Sequence, residues 1–261
     1  MLRHRPIKVT FVTQIQFDQS FINAVAGIAM TINTPDSARY EVKFVGRDRS
    51  LQGLLRWVRL HPAQFTSRYP DRYVNNIYLD TYNQSAYYEN LAGVSSRSKV
   101  RYRWYGEDRF PGPGILEVKL RRNCYGWKLS FPVGNAPFVR NDAWNEIYKR
   151  IRSQVSTDGK VWLDANPFPV LLNRYYRRYF VNADNTIRVT VDTGLQTWDQ
   201  RLIPSPNFNN GVVSQPVVIV EFKFDRMFRA VASEALQGFP IRVSKNSKYV
   251  TGLQSLSASI I

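Results

Sequence analysis

An acid and a base two positions apart recur three times in otherwise apolar stretches of this chain: Glu41-Val42-Lys43, Glu117-Val118-Lys119 and Glu221-Phe222-Lys223. Residues i and i+2 of an extended strand share a face, so each phrase sets a carboxylate beside an ammonium. The opposite faces read Tyr40, Val42, Phe44; then Leu116, Val118, Leu120; then Val218, Val220, Phe222, Phe224. Those faces are apolar enough to lie under helices. The charged faces must therefore meet water, on an outer surface or inside a wet channel. Which of the two holds decides what the chain does.

The alternation extends to other strands. Lys99, Arg101, Arg103 and Tyr105 share a face opposed by Val100, Tyr102 and Trp104. Lys128 and Ser130 oppose Trp127, Leu129 and Phe131, and Arg188, Thr190 and Asp192 oppose Ile187, Val189 and Val191. Between Arg174 and Tyr179 both faces are polar or aromatic, so parity leaves Arg177 and Arg178 undecided. One such strand is the ordinary solvated face of an antiparallel sheet. Across six strands, Lys43, Lys99, Arg101, Arg103, Lys119, Lys128, Arg177, Arg188 and Lys223 outnumber Glu41, Glu117, Asp192 and Glu221.

Like charges facing each other across strands are destabilising, and a ligand of opposite sign offsets that repulsion. A barrel of about eight strands encloses room for one small ligand. Arg forks and mobile Lys charges suit a chain of phosphates. The interspersed acids suit a divalent cation, Mg²⁺ or Mn²⁺, that bridges phosphate oxygens.

The 261 residues carry a formal charge of +16, which asks for an acidic partner. One cysteine excludes an internal disulfide and a multi-cysteine zinc site, and two histidines leave little material for a His-rich metal centre or a Ser-His-Asp triad. The longest apolar run, Phe21 to Ile32, is about half of the ~20 residues a membrane span needs. It also lies too far into the chain for a secretory signal, so the expected compartment is the cytoplasm.

Strands are expected at Arg39–Val45, Arg72–Leu79, Lys99–Tyr105, Ile115–Arg121, Trp127–Phe131, Leu172–Val181, Ile187–Thr193 and Val217–Phe224, with a short last one near Tyr249. Helical spacing appears at Leu51–Leu60, Asp142–Val155 and Met227–Leu236. The expected fold is α+β and mainly antiparallel β: an eight-stranded tunnel-like barrel with a charged lumen and a few flanking helices. Residues 1–36, with a possible strand at Val9–Phe17, form an extension of unknown role, and 37–261 form one domain.

Nine pieces then occur in a telling order: Arg39-Tyr-Glu-Val-Lys-Phe44, Ile77-Tyr-Leu-Asp-Thr81, Lys99-Val-Arg-Tyr-Arg-Trp-Tyr105, Glu117-Val-Lys119, Lys128, Tyr175-Tyr-Arg177, Arg188-Val-Thr-Val-Asp192, Glu221-Phe-Lys223 and Lys245-Asn-Ser-Lys248. Over about residues 37–253 the chain resembles the VTC domain, the polyphosphate polymerase branch of the triphosphate tunnel metalloenzymes, related to the CYTH phosphatases and cyclases. The resemblance implies a tunnel that binds the triphosphate of ATP with a divalent cation and passes the γ-phosphoryl to inorganic polyphosphate, releasing ADP. It implies phosphate ligands at Lys43, Arg101, Arg103, Lys119, Lys128, Arg177, Arg188, Lys245 and Lys248, polar supports at Tyr175 and Ser247, and a metal ligand at Glu221. It also favours Arg177 over Arg178. Lys99 and Lys223 join the substrate-binding set and Glu41 and Glu117 the metal set from their place on the charged faces. The broader superfamily often opens with Glu-x-Glu-x-Lys, and here Arg39 stands at the first Glu position, which leaves metal stoichiometry open.

Two other readings stand beside this one. A tunnel triphosphatase would need a carboxylate to activate water, with Glu41 or Glu117 as the candidate base. A non-catalytic module binding polyphosphate or nucleic acid would draw on the net charge. Specific nucleic-acid binding is not expected, because Tyr102 and Trp104 of Arg101-Tyr-Arg-Trp-Tyr105 alternate away from the arginines.

Overall fold

The computed structural model describes residues 34–36, 38–47, 50–139, 141–213 and 217–258. The possible strand at Val9–Phe17 lies outside the described residues. Among the described residues ten strands form one antiparallel sheet: β1 (Arg39–Arg47), β2 (Thr66–Ser67), β3 (Arg72–Asp80), β4 (Ser96–Tyr105), β5 (Gly114–Arg122), β6 (Tyr125–Val133), β7 (Phe168–Val181), β8 (Ile187–Asp199), β9 (Val212–Val213) and β10 (Val217–Asp225). The order runs β7-β3-β4-β5-β6-β1-β10-β8, and a β7–β8 pairing closes it into an eight-stranded barrel; β2 and β9 are short additions on β7 and β8.

The apolar faces of the charged strands point outward, and two helical layers cover them. Ile77, Val100, Tyr102, Trp104, Leu116, Val118 and Leu120 pack under α3 (Trp144–Gln154) and α4 (Thr157–Ala165), which contribute Ile147, Ile151, Trp162 and Leu163. Val189, Val191, Val218, Val220 and Phe222 pack under α1 (Leu51–Leu60) and α5 (Arg229–Ala235). Leu54, Leu55 and Val58 of α1 are the 3–4 spaced stripe visible in the sequence. With grease committed to the exterior, the period of two leaves the charges nowhere but the lumen.

Turns follow their chemistry. Asn123 takes φ 54° between β5 and β6, and Asn185 takes φ 58° between β7 and β8. Asn182 closes the second of these turns by accepting from the Ile187 N–H at 2.8 Å. Asparagine tolerates this left-handed region better than most residues.

One expected strand is a helix. The stretch near Tyr249 forms α6 (Lys248–Ala258). The Tyr249-Val250-Thr251 run is β-prone in composition, but Ser247 sits at the helix start, where its carbonyl accepts from Thr251 N at 2.8 Å. Tyr249, Val250, Leu253 and Leu256 then bury one side. Here helical spacing and packing override local propensity. With α2 (Ser85–Leu91), α6 forms a third apolar layer on Tyr78, Val170 and Leu171. Tyr78 and Leu171 are register partners on the lumen side of β3 and β7. The lumen lining thus turns apolar there, and α6 packs across that end.

The core predicts its own weak point. Phe222 is fully buried among the rings of Phe44, Trp57, Phe65 and Phe239. Phe222→Ala should lower unfolding free energy by about 3–5 kcal/mol, read from denaturant midpoints; a loss under about 1 kcal/mol would mean that this layer does not hold the barrel's outer wall.

Candidate functional site

Three ion clusters line the lumen. In the first, Glu117 of β5 has no exposure at all. It accepts from Arg101 Nε at 2.8 Å and from Lys128 Nζ at 2.7 Å, with Arg103 Nη1 at 3.4 Å. Burial alone would raise the Glu117 carboxyl; Arg101, Arg103 and Lys128 override it and hold the group far below the usual carboxylate range. Arg103 also donates to Asn76 Oδ1 at 2.9 Å, and Asn76 donates to Asn173 Oδ1 at 2.8 Å. These neutral amides fix the Arg103 fork without neutralising it.

The second cluster joins β1 and β10. Register pairs Glu41 with Lys223 and Lys43 with Glu221. Glu41 lies 3.4 Å from Lys43, 3.4 Å from Lys119 and 3.2 Å from Lys223. Burial would raise both glutamates, yet the lysines Lys119, Lys223 and Lys43 bring each of them below its ordinary value. Glu221 is buried, and its Oε1 lies 3.2 Å from Lys223 Nζ; Oγ1 of Thr190, its register partner on β8, makes no hydrogen bond.

The third cluster centres on Asp192, which takes a two-pronged Arg177 at 2.6 and 2.7 Å and Lys248 Nζ at 2.6 Å. Arg177 therefore faces the lumen. Arg178 instead reaches Asp71 and stacks over Tyr176. Tyr175, 1% exposed, lies beneath Arg177 and Lys248. Burial resists ionisation of its phenol, but Arg177, Arg103 and Lys248 lower its pKa overall.

In two lysines burial and neighbouring cations win. Lys99 contacts Ser247 Oγ at 2.8 Å. Burial, followed by Lys119, Lys43, Arg97 and Arg101, pushes its ammonium well below the ordinary lysine value. Lys119 is favoured in its charged form by Glu41, but burial together with Lys223 and Lys43 wins and brings it down to about 7. About a third of its side chain (32%) still meets solvent.

Of the sixteen residues singled out in the sequence, Lys43, Lys99, Arg101, Arg103, Lys119, Lys128, Tyr175, Arg177, Lys223, Lys248, Ser247, Glu41, Glu117 and Glu221 meet in these linked clusters. Arg188 is exposed on the lumen face of β8, opposite Lys223. Lys245 is also exposed, in the loop before α6, and is not part of the three clusters. Glu117 stands apart from Glu41 and Glu221, its oxygens taken by cations.

Asn76, Asn173 and Asp80 were not anticipated. The signal for Asn76 was present: an amide in mid-strand, two residues from Tyr78 on the same face. Asp80 accepts from Thr81 N, Ala86 N and the Tyr249 hydroxyl at 2.8, 3.1 and 2.6 Å, tying α2 to the helix that carries Lys248. Nothing in the sequence links positions 80 and 249.

A divalent cation can be tested against this donor set. Among the described residues no group of three or more His, Cys, Asp or Glu could hold one. Two adjacent carboxylates, Glu41 and Glu221, that meet their lysines only at 3.2–3.4 Å are however what Mg²⁺-like ions use when substrate phosphates complete the shell. Glu221 and Glu41 fit that role; Glu117 does not.

The model of the VTC domain family matches residues 38–257, and the chain belongs to that family. Fold and site together define a tunnel protein of triphosphate-related function. No curated protein matches the chain. Among solved structures it is similar to PH1819 from Pyrococcus horikoshii OT3 (9% identity, TM-score 0.43, covering 85% of this chain and 99% of that one). It is also similar to HpAC1 from Hippeastrum, described by a dominant triphosphatase activity (13%, 0.43, 83% and 95%). A Vibrio parahaemolyticus protein described as an adenylate cyclase gives 12% identity, a TM-score of 0.45 and coverage of 81% and 97%. Similarities this low carry no argument about chemistry. No described helix is long and apolar enough to cross a membrane.

Lys119 makes the site's electrostatics measurable. Its folded pKa, about 7, lies below the ordinary 10.5, so the unfolded chain binds more protons between those values. Through this group stability therefore rises with pH across that window. A phosphate in the lumen would favour the charged ammonium, so binding of metal-free tripolyphosphate at about pH 8.5 should take up protons. Calorimetry in two buffers of different ionisation enthalpy reads this directly. Binding with no proton uptake would mean that the phosphates do not sit beside Lys119.

Proposed function

We propose that this chain is a polyphosphate polymerase: it transfers the γ-phosphoryl of ATP to the end of an inorganic polyphosphate chain in the lumen. The observation that carries this reading is the state of the carboxylates. Glu41, Glu117, Asp192 and Glu221 are all held below their ordinary pKa by the cations around them. A hydrolase needs a base able to take a proton from water near neutral pH, and these four are poorly suited to that. Lys119 is the group poised near 7, and phosphate binding would raise it out of that role. A terminal phosphate of polyphosphate is already anionic and needs no base.

In the transfer, an oxygen of the acceptor's terminal phosphate attacks the γ-phosphorus as the bond from that phosphorus to the β,γ-bridging oxygen breaks. ADP leaves with the bond's electron pair, and the acceptor grows by one phosphate. What such a reaction asks of a protein is alignment and charge stabilisation on the equatorial oxygens. Arg101, Arg103 and Arg177 are held as fixed forks by Glu117, Asn76 and Asp192. Lys43, Lys99, Lys119, Lys223 and Lys248 add point charges around them, and Lys128 stands half-exposed beside Glu117. Ser247 orients Lys99, and Tyr175 supports Arg177 and Lys248. Arg188 and Lys245 would reach the chain nearer solvent. Glu221 and Glu41 would hold Mn²⁺ or Mg²⁺, which when bound neutralises charge on phosphate oxygens.

Nucleic-acid binding is the weaker alternative, since Tyr102 and Trp104 are buried in the outer core and cannot stack on bases. Purified protein given ATP and Mn²⁺ should produce acid-insoluble polyphosphate and ADP. Orthophosphate as the sole phosphorus product would establish the tunnel triphosphatase instead.

Two substitutions separate ligand groups from scaffold. Lys99→Met removes a cation surrounded by cations, so it should leave Tm unchanged or higher while lowering turnover on the order of 100-fold. Glu117→Gln strips the counter-charge from buried Arg101 and Arg103 and should destabilise by about 3–5 kcal/mol. Reversal of that pattern in thermal melts would make Lys99 structural and Glu117 a ligand.

A further inference from the structure

At the end of the lumen away from α6, the lining changes from charge alone to charge and aromatic rings. One same-face step beyond Arg103 on β4 stands Tyr105, and one step beyond Arg177 on β7 stands Tyr179. Between them Arg72, the first residue of β3, is the register partner of Arg177. Its guanidinium lies 4.1 Å from the Tyr105 ring centre and 5.2 Å from that of Tyr179. Its Nε reaches the Tyr179 hydroxyl at 3.5 Å, and Tyr69 packs edge-on against Tyr179 at 5.7 Å. Among the described residues, no carboxylate lies within ion-pair distance of Arg72.

A purely structural rim would bury its rings. Tyr105 is instead 39% exposed and Tyr69 52% exposed, while Arg103 and Arg177, one step inward, are almost fully buried. The rim therefore presents partly exposed tyrosine rings around a half-buried guanidinium that has no carboxylate partner among the described residues, just outside Arg103 and Arg177. That combination suits a nucleobase, whose faces stack on tyrosine and guanidinium planes whatever the base.

We propose that Tyr105, Arg72 and Tyr179 form a nucleoside-stacking rim that holds the base of a nucleoside triphosphate while its phosphates enter the lumen. This rests on the polymerase reading above and adds that the tunnel distinguishes a nucleotide donor from inorganic tripolyphosphate at this mouth. The rim reads flatness, not base edges, so selectivity among bases is weak.

The test compares two probes, the β,γ-imido analogue of ATP and inorganic tripolyphosphate, each with Mn²⁺, by calorimetry on the whole chain. Tyr105→Ala, at a position already exposed, and the pair Tyr105→Ala with Tyr179→Leu should raise Kd for the nucleotide analogue on the order of tenfold. Kd for tripolyphosphate should stay within about twofold. Tyr105→Phe, which keeps the ring, should retain nucleotide affinity. Equal weakening of both probes would make the rim a structural support, and unchanged nucleotide affinity would remove it from the site; both overturn the rim and leave the tunnel standing. A wild-type protein that binds neither probe overturns the polymerase reading and the rim together.

Discussion

The structure depends on mutual repulsion among cations held in a closed space. Wrapping eight strands with their apolar faces outward satisfies the hydrophobic layers beneath α1, α3, α4 and α5. It also brings Lys43, Lys99, Lys119 and Lys223 close enough to depress the charged forms of two of them. Four carboxylates offset part of this, each shared among several cations. What they leave uncompensated is positive charge in the lumen, which the proposed polyanionic substrate would offset. On the proposed function, stability and activity pull in opposite directions at Lys99 and Lys119, and in the same direction at Glu117 and Asp192.

The division of labour among the acids follows from their neighbours more than from their type. Glu117 and Asp192 each anchor an arginine fork and have no oxygen to spare. Glu221 and Glu41, side by side, meet their lysines only at 3.2–3.4 Å. The same Glu-x-Lys phrase thus serves two purposes in one barrel. On β5 it fixes Arg101 and Lys128 through short hydrogen bonds, and on β1 and β10 it makes a looser network of lysines and carboxylates. Arg39, which stands where the superfamily often has glutamate, is drawn into a pair with Asp225 at the strand end and takes no part in either.

Much of this was legible because period two is unambiguous when one face is grease and the other charge. The lumen side of β1, β4, β5, β8 and β10 could be read residue by residue, and α1 stood out from Leu54, Leu55 and Val58. Legibility failed where the cause was not local. Arg174 to Tyr179 is polar on both faces, and only the closing β7–β8 pairing sends Arg177 inward to Asp192. The stretch after Ser247 looked β-prone, and its helix exists because Tyr249 finds Asp80 and stacks on Tyr78. The rim at Arg72, Tyr105 and Tyr179 joins three strands distant in sequence, and no pattern within any one of them announces it.

Crystals soaked with inorganic tripolyphosphate and Mn²⁺ give the most direct test, with anomalous scattering locating the metal. The account predicts phosphorus density along the bore in contact with Arg101, Arg103, Arg177 and Lys119, and a manganese peak beside Glu221. Phosphates bound only to exterior lysines and arginines, with the bore unchanged, would contradict it.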